Sequence, residues 1–276
     1  MDKVPVSVVV ITKNEADNIA DCLKSASWAD EVVVVDDNST DETVRIAQQF
    51  VARVVTRKMD IEGRHRNYAY SLAKNKWVLS LDADERVSPE LALEIGALLK
   101  GEMKDKALRA NGQPQPVGPV AYTIPIKTYI GKRWIQHSGW YPAAKVRLFD
   151  RNAFKYEEAE VHPRVFIDGS CGHLKKDIVH YSYNDFHDFF TSLNNQTTLE
   201  AKKWFKERRN INFIKMYRKS LSRFLKAYVQ KGGYKDGLLG FIVSWAGGLY
   251  QFMSYIKYKE MLENEKASNA KPHATF

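Results

Sequence analysis

Trp77-Val78-Leu79-Ser80-Leu81-Asp82-Ala83-Asp84-Glu85 is the stretch on which the fold turns. Five residues without charge run into three acids, and Ser88-Pro89 then opens a helix, proline suiting the first helical position. An uncharged run of this length reads as a buried strand, and ligands gather beyond the carboxyl ends of parallel strands. Strand side chains alternate, so Asp82 and Asp84 point the same way. One carboxylate can then meet a ribose hydroxyl and the other a metal ion. Mg²⁺ or Mn²⁺ suits such a place, because each prefers oxygen ligands and binds through one or two carboxylates plus substrate phosphates.

The same pattern recurs upstream. A strand at Val6–Ile11 ends in Thr12-Lys13-Asn14-Glu15, and a second at Glu31–Val35 ends in Asp36-Asp37-Asn38-Ser39. Arg53–Thr56 reads as a third strand. Between them lie an amphipathic stretch from Glu15 to Ala26, a helix through Phe50 opened by a Ser39/Glu42 capping box, and a helix over Glu62–Ala73. Strands alternating with helices predict an α/β fold, a mostly parallel sheet with helices on both faces. Three polar clusters then share one edge. Residues 101–119 read as a loop, followed by strand-like Ala121–Ile130, Val146–Phe149 and Val161–Ile167. Helix resumes near Asn184.

With those residues in view, Val6–Ile19, Val33–Thr43, Gly63–Ala69 and Trp77–Val87 resemble family 2 glycosyltransferases of the GT-A, Rossmann-like fold. The branch it is most similar to is typified by lipopolysaccharide-core β-glucosyltransferases. A weaker likeness continues through Val146–Phe149, Val161-His162 and Ile178–Tyr183. The resemblance implies an inverting transfer from a nucleoside-diphosphate sugar, a UDP-sugar first among them. It places Thr12, Glu15 and Asp37 around the nucleotide, with Asp37 on the base. Arg66, in the Arg66-Asn67 pair, and Arg64 become candidates for the donor diphosphate. Asp84 takes the metal, with Asp82 nearer the ribose, and His180 matches a late histidine ligand. The base that deprotonates the acceptor falls among the acids of Tyr156–His162. Glu160 is preferred because it directly precedes the Val161 strand, with Glu158 and His162 as alternatives. Pro163 departs from the family, which often carries an acid there.

The net charge of +9 is concentrated: Lys202 to Lys235 holds twelve Lys and Arg against Glu207 alone, leaving about −2 elsewhere. Within it, Ile214, Tyr217, Leu221, Phe224, Leu225 and Tyr228 recur at helical steps among Lys215, Arg218, Lys219, Arg223 and Lys226, giving a basic amphipathic helical extension. Gly237–Ile256 runs twenty residues without charge, nominally enough to span a bilayer, yet four glycines and interspersed polar residues dilute it. Residues 202–257 are therefore expected to meet an anionic membrane surface, with Gly237–Ile256 an interfacial or re-entrant helical pair, and a soluble-core or subunit-contact helix or a true span the alternatives. The implied division is 1–183 for the catalytic domain, 184–262 for a helical membrane-associating region and 263–276 for a disordered tail.

The expected partners are the sugar nucleotide and a lipid-linked glycan such as lipopolysaccharide core, or polyprenyl phosphate and its linked sugars. The setting is the cytoplasmic face of the inner membrane, held peripherally. An oligomer is compatible with this, and nucleic acid is not expected. No signal peptide is expected, since Val4–Ile11 lacks a basic leader, and Cys22 and Cys171 match no metal or redox spacing. A nucleotidyltransferase would need a Gly-rich loop where Thr12–Glu15 stands. A processive synthase would carry an aromatic Gln-x-x-Arg-Trp motif, which the sequence lacks. A basic membrane or RNA adaptor would suit the tail but has no use for Asp36, Asp37, Asp82 and Asp84 together.

Overall fold

The computed structural model describes residues 3–50, 53–104, 118–158 and 164–270. Its first elements are β1 (Val4–Thr12), α1 (Ile19–Ser25), β2 (Ala29–Asp36), α2 (Thr43–Ala47), β3 (Arg53–Thr56) and α3 (Glu62–Ser71). There follow β4 (Trp77–Asp82), β5 (Glu85–Val87), α4 (Pro89–Lys104), β6 (Ala121–Ile124), β7 (Ile126–Ile130) and β8 (Arg133–Trp134). The remaining strands are β9 (Lys145–Asp150), β10 (Phe154–Tyr156), β11 (Val165–Ile167), β12 (Cys171–His173) and β13 (Ile178–Tyr183). The chain then turns helical in α5 (Phe186–Lys206), α6 (Phe213–Leu225) and α7 (Gly237–Ala270).

Contacts divide the chain into two compact units, residues 1–127 with 142–182, and residues 128–141 with 183–276. The first is built on a seven-stranded sheet ordered β12-β6-β9-β4-β1-β2-β3. β4, β1, β2 and β3 are parallel, β12 is parallel to β6, and only β9 runs against its neighbours. Alternation along β1 explains why both faces carry helices. Val6, Val8 and Val10 pack with Ile19 and Leu23 of α1 and with Leu91 and Ile95 of α4. Val9 turns the other way, with Val33, Val35, Phe149 and α3 residues Ala69 and Tyr70. Each fully buried aliphatic side chain here contributes about 1.5–3 kcal/mol. The expected α/β architecture is present.

Three local expectations change. The Ser39/Glu42 capping box does not form, because Asp36 competes for Ser39: the Ser39 amide donates to Asp36 Oδ2 at 2.9 Å and its hydroxyl to Oδ1. α2 is accordingly short, followed by a 3₁₀ turn over Gln48–Phe50. Helix begins at Ile19 rather than Glu15, whose carbonyl instead accepts the amides of Asn18 and Ile19. Ala121–Ile130 is two strands, broken at Pro125, which has no N–H for a ladder.

The second unit is mostly helical. Segment 128–141, placed with the catalytic domain on sequence grounds, groups here because Ile130 and Ile135 join the core of Phe189, Leu193, Val243 and Ala246. Asp185 caps α5 by accepting the Asp188 amide, and Asn212 caps α6 by accepting that of Lys215, both at 2.8 Å. Two of the four glycines of the uncharged stretch, Gly240 and Gly248, have a packing purpose. A Cβ on Gly240 would stand 1.8 Å from the Gly233 carbonyl oxygen, and one on Gly248 2.9 Å from that of Ser220. Among the described residues no helix is long and apolar enough to cross a membrane. α7 is helical through Ala270, past residue 263, where a disordered tail was expected.

Candidate active site

The loops after β1 and β2 are tied to each other. Asn14 and Asn38 sit at φ 53° and 50°, a left-handed conformation that asparagine tolerates better than most residues. The Asn14 amide donates to Ser39 Oγ and the Thr40 amide to Asn14 Oδ1, both at 2.8 Å. The Glu15 amide donates to Thr43 Oγ1 at 2.7 Å. Asp36 is consumed in shaping its turn, so Asp37 is the acid presented. Its Oδ1 accepts the Met59 amide at 2.6 Å and its Oδ2 the Lys13 ammonium at 2.8 Å. Burial alone would raise the Asp37 pKa, but these donors outweigh it and hold it low. The Thr12 carbonyl accepts the Asp37 amide at 2.9 Å, bringing the two residues together. Glu15 is shifted upward, by burial first and then by the charge of Asp84.

At the end of β4 the two aspartates part. Asp82 is turned onto arginines: Oδ2 accepts from Arg147 at 2.7 Å, and Oδ1 from Arg66 at 3.2 Å. Asp82, expected to share the metal with Asp84, has one oxygen on each of the two guanidiniums. Burial opposes ionisation of Asp82, yet Arg147 and Arg66 keep its pKa well below the carboxylate range. Asp84 meets His180, Oδ2 to Nε2 at 3.0 Å. The β5–β13 ladder makes this pair, since His180 lies opposite Glu85 and the Tyr181 amide donates to the Asp84 carbonyl. Ser182 Oγ stands 2.9 Å from His180 Nδ1 and 3.1 Å from Nε2. Burial disfavours the imidazolium, but the hydrogen bond and charge of Asp84 raise the His180 pKa overall.

α3 supplies the remaining cations. Arg66 also pairs with Glu62 at 3.0 Å, while the more exposed Arg64 binds Asp60 at 2.8 Å and Glu158 at 3.1 Å. Asn67 exchanges two 2.9 Å hydrogen bonds with the Tyr156 backbone. That clamp leads the chain to Glu158, so one base candidate and one diphosphate candidate are in direct contact. Glu160 and His162 lie outside the described residues.

Three groups had no role assigned from sequence. Arg147 on β9 is 4% exposed and also reaches Glu85 Oε1 at 2.5 Å. Glu85 is fully buried, and burial raises its pKa despite Arg147. The available signal was a lone arginine inside Val146-Arg147-Leu148-Phe149, because a charge in an apolar strand demands a partner. His65 is fully buried, with Nδ1 3.3 Å from Arg57, and burial together with Arg57 lowers its pKa. Thr12 Oγ1, His65 Nε2 and Arg147 Nε have no hydrogen-bond partner among the described residues. Nor do the described residues gather three or more His, Cys, Asp or Glu as a preformed metal cage.

A mostly parallel sheet with acid-bearing loops at its carboxyl ends and helices on both faces is the α/β arrangement in which ligands bind beyond the strand ends. The chain belongs to glycosyl transferase family 2, whose profile matches residues 7–157. It is 29% identical to an uncharacterized glycosyltransferase of Rickettsia felis, over 98% of this chain and 95% of that protein. It is 23% identical to the lipopolysaccharide core biosynthesis glycosyltransferase LpsC of Rhizobium meliloti, over 92% of each. Among solved structures, S. aureus TarS 1–349 in complex with UDP aligns at a TM-score of 0.45 and 15% identity, over 97% of this chain and 92% of that one.

Proposed function

We propose that this glycosyltransferase is inverting and metal-dependent, and moves a sugar from a UDP-sugar to a membrane-anchored glycan of the lipopolysaccharide-core kind. The observation that carries the reading is the Asp84–His180 pair, 3.0 Å apart beside the arginine-bound Asp82. A carboxylate oxygen and an imidazole nitrogen suit a divalent cation whose other ligands are phosphate oxygens and water. Such a cation, Mg²⁺ or Mn²⁺, would supply charge neutralisation for the departing diphosphate.

The chain's own groups fill the other roles. Asp37 accepts from the base, with Thr12 and Glu15 completing the nucleotide pocket, and Asp82 lies toward the ribose. Arg66 and Arg64 present positive charge to the diphosphate. The acceptor oxygen attacks the anomeric carbon, the bond to the diphosphate oxygen breaks, and the acceptor proton passes to an acid of 157–162. Glu160 is first in line, then Glu158 and His162.

The LpsC likeness and the basic helical segment support a lipid-linked glycan as acceptor, met peripherally at the cytoplasmic face of the inner membrane. Asp84→Ala tests the chemistry: metal-dependent transfer should fall at least about a hundredfold. Activity equal to that of the parent enzyme would sink the reading.

A further inference from the structure

α6 buries a single residue, Met216. Its apolar residues nevertheless recur at helical spacing, and Phe213, Ile214, Tyr217, Leu221 and Leu225 are 44–69% exposed. A helix of this pattern normally turns its stripe toward a core. Here the stripe faces water. Val229, in the wide turn that prolongs the helix, is exposed too, as are Leu238, Phe241 and Trp245 on α7. Ring contacts make the two stripes one surface: Phe241 lies 5.9 Å from Phe224 and 5.8 Å from Tyr228, centroid to centroid. A furrow along α6 has Leu221, Leu225 and Val229 for its apolar wall and Arg218 and Lys226 at its rim. Contiguous apolar surface with a polar rim marks an interaction site.

Charge selects the partner. Lys215, Arg218, Lys219, Arg223 and Lys226 border the stripe, and Glu207, the one acid between Lys202 and Lys235, is paired with Arg209 at 2.5 Å. A second copy of the chain would bring the same patch onto itself across a two-fold axis, cation against cation. RNA would neutralise the cations but leave Ile214, Leu221, Leu225 and Leu238 in water. An anionic bilayer answers both, with apolar side chains entering the boundary between headgroups and acyl chains while cations meet lipid phosphates.

We infer that the α6–α7 face docks on anionic phospholipid. α6 and the first turns of α7 lie in the membrane plane, inserting Leu221, Leu225, Val229 and Leu238, and Arg218 and Lys226 bind phosphates. The biological setting rests on the membrane-linked acceptor proposed above, whereas the docking itself depends on the helical unit alone.

The test is flotation of the full chain, without sugar nucleotide, on phosphatidylcholine vesicles with and without phosphatidylglycerol. Binding to the anionic vesicles should be at least about tenfold tighter and should weaken in high salt. Leu221→Asp with Leu225→Asp should abolish flotation with an unchanged melting curve. Arg218→Glu with Lys226→Glu should remove only the preference for anionic lipid. Brominated lipid should quench the parent protein more than Trp245→Phe. Failure of the parent protein to float, or flotation of both double variants like the parent, overturns the proposal. So does a parent dimer in light scattering that Leu221→Asp with Leu225→Asp converts to monomer, and so does RNA binding that vesicles cannot displace. Transfer to a delipidated acceptor is read separately. Flotation without transfer would sink the catalytic reading and leave the docking face standing; transfer without flotation would do the reverse.

Discussion

Arg147 stands 2.7 Å from Asp82, and the same nitrogen reaches Glu85 at 2.5 Å, so one buried guanidinium holds two carboxylates at the end of β4. Arg147 and Glu85 are almost without solvent. Removing the cation would leave acids uncompensated in a low-dielectric place. Arg147→Ala should therefore destabilise the protein by about 3–5 kcal/mol. Urea unfolding reads this directly, and an unchanged midpoint would show that the network carries no stability.

His180 is expected to act through the cation rather than through the sugar. His180→Ala should raise the Mn²⁺ concentration for half-maximal transfer by about tenfold or more, with the donor KM at saturating metal changing less. A variant needing no more metal than the parent would remove His180 from the ligand set.

The buried His65 gives a signed pH effect. Burial and Arg57 lower its pKa below the ordinary 6.5, so the unfolded chain binds the proton more readily than the folded one. Its contribution to stability is complete above 6.5 and is lost as pH falls below that value toward the lowered native pKa. Between pH 7 and 5 the melting temperature of the parent should fall more steeply than that of His65→Gln. Parallel curves would contradict the assignment.

At Asn14 the left-handed backbone and the side-chain bond to the Thr40 amide act together. Asn14→Val should cost about 1–3 kcal/mol by thermal or chemical unfolding, whereas Asn14→Gly keeps the backbone and should cost less. Donor affinity should fall with Asn14→Val, because the loop pair carrying Asp37 loosens. Equal stability of the two variants would mean that backbone strain plays no part.

The sheet was legible because uncharged apolar runs and strand-end acids are local signals; Val6–Ile11 and Trp77–Leu81 need no distant partner to be recognised. The place of Asp84 just past a strand end was legible for the same reason. Arg147 was not, since its partners lie 62 and 65 residues away in sequence and only the fold brings them within reach. Ser39 was misread because a capping pattern and an Asp36-anchored turn compete for one hydroxyl, and the sequence does not say which wins. The grouping of 128–141 with the helical unit depends on Ile130 and Ile135 finding Phe189 and Val243, a packing choice with no periodic signature.

Calorimetric titration of UDP, with Mn²⁺ present and then chelated, reaches the central claim most directly. The parent protein should bind UDP at least about tenfold more tightly with the metal, and Asp84→Ala should show no such difference. Equal UDP affinity in the parent with and without metal, or an Asp84→Ala variant that responds to Mn²⁺ as the parent does, would contradict it.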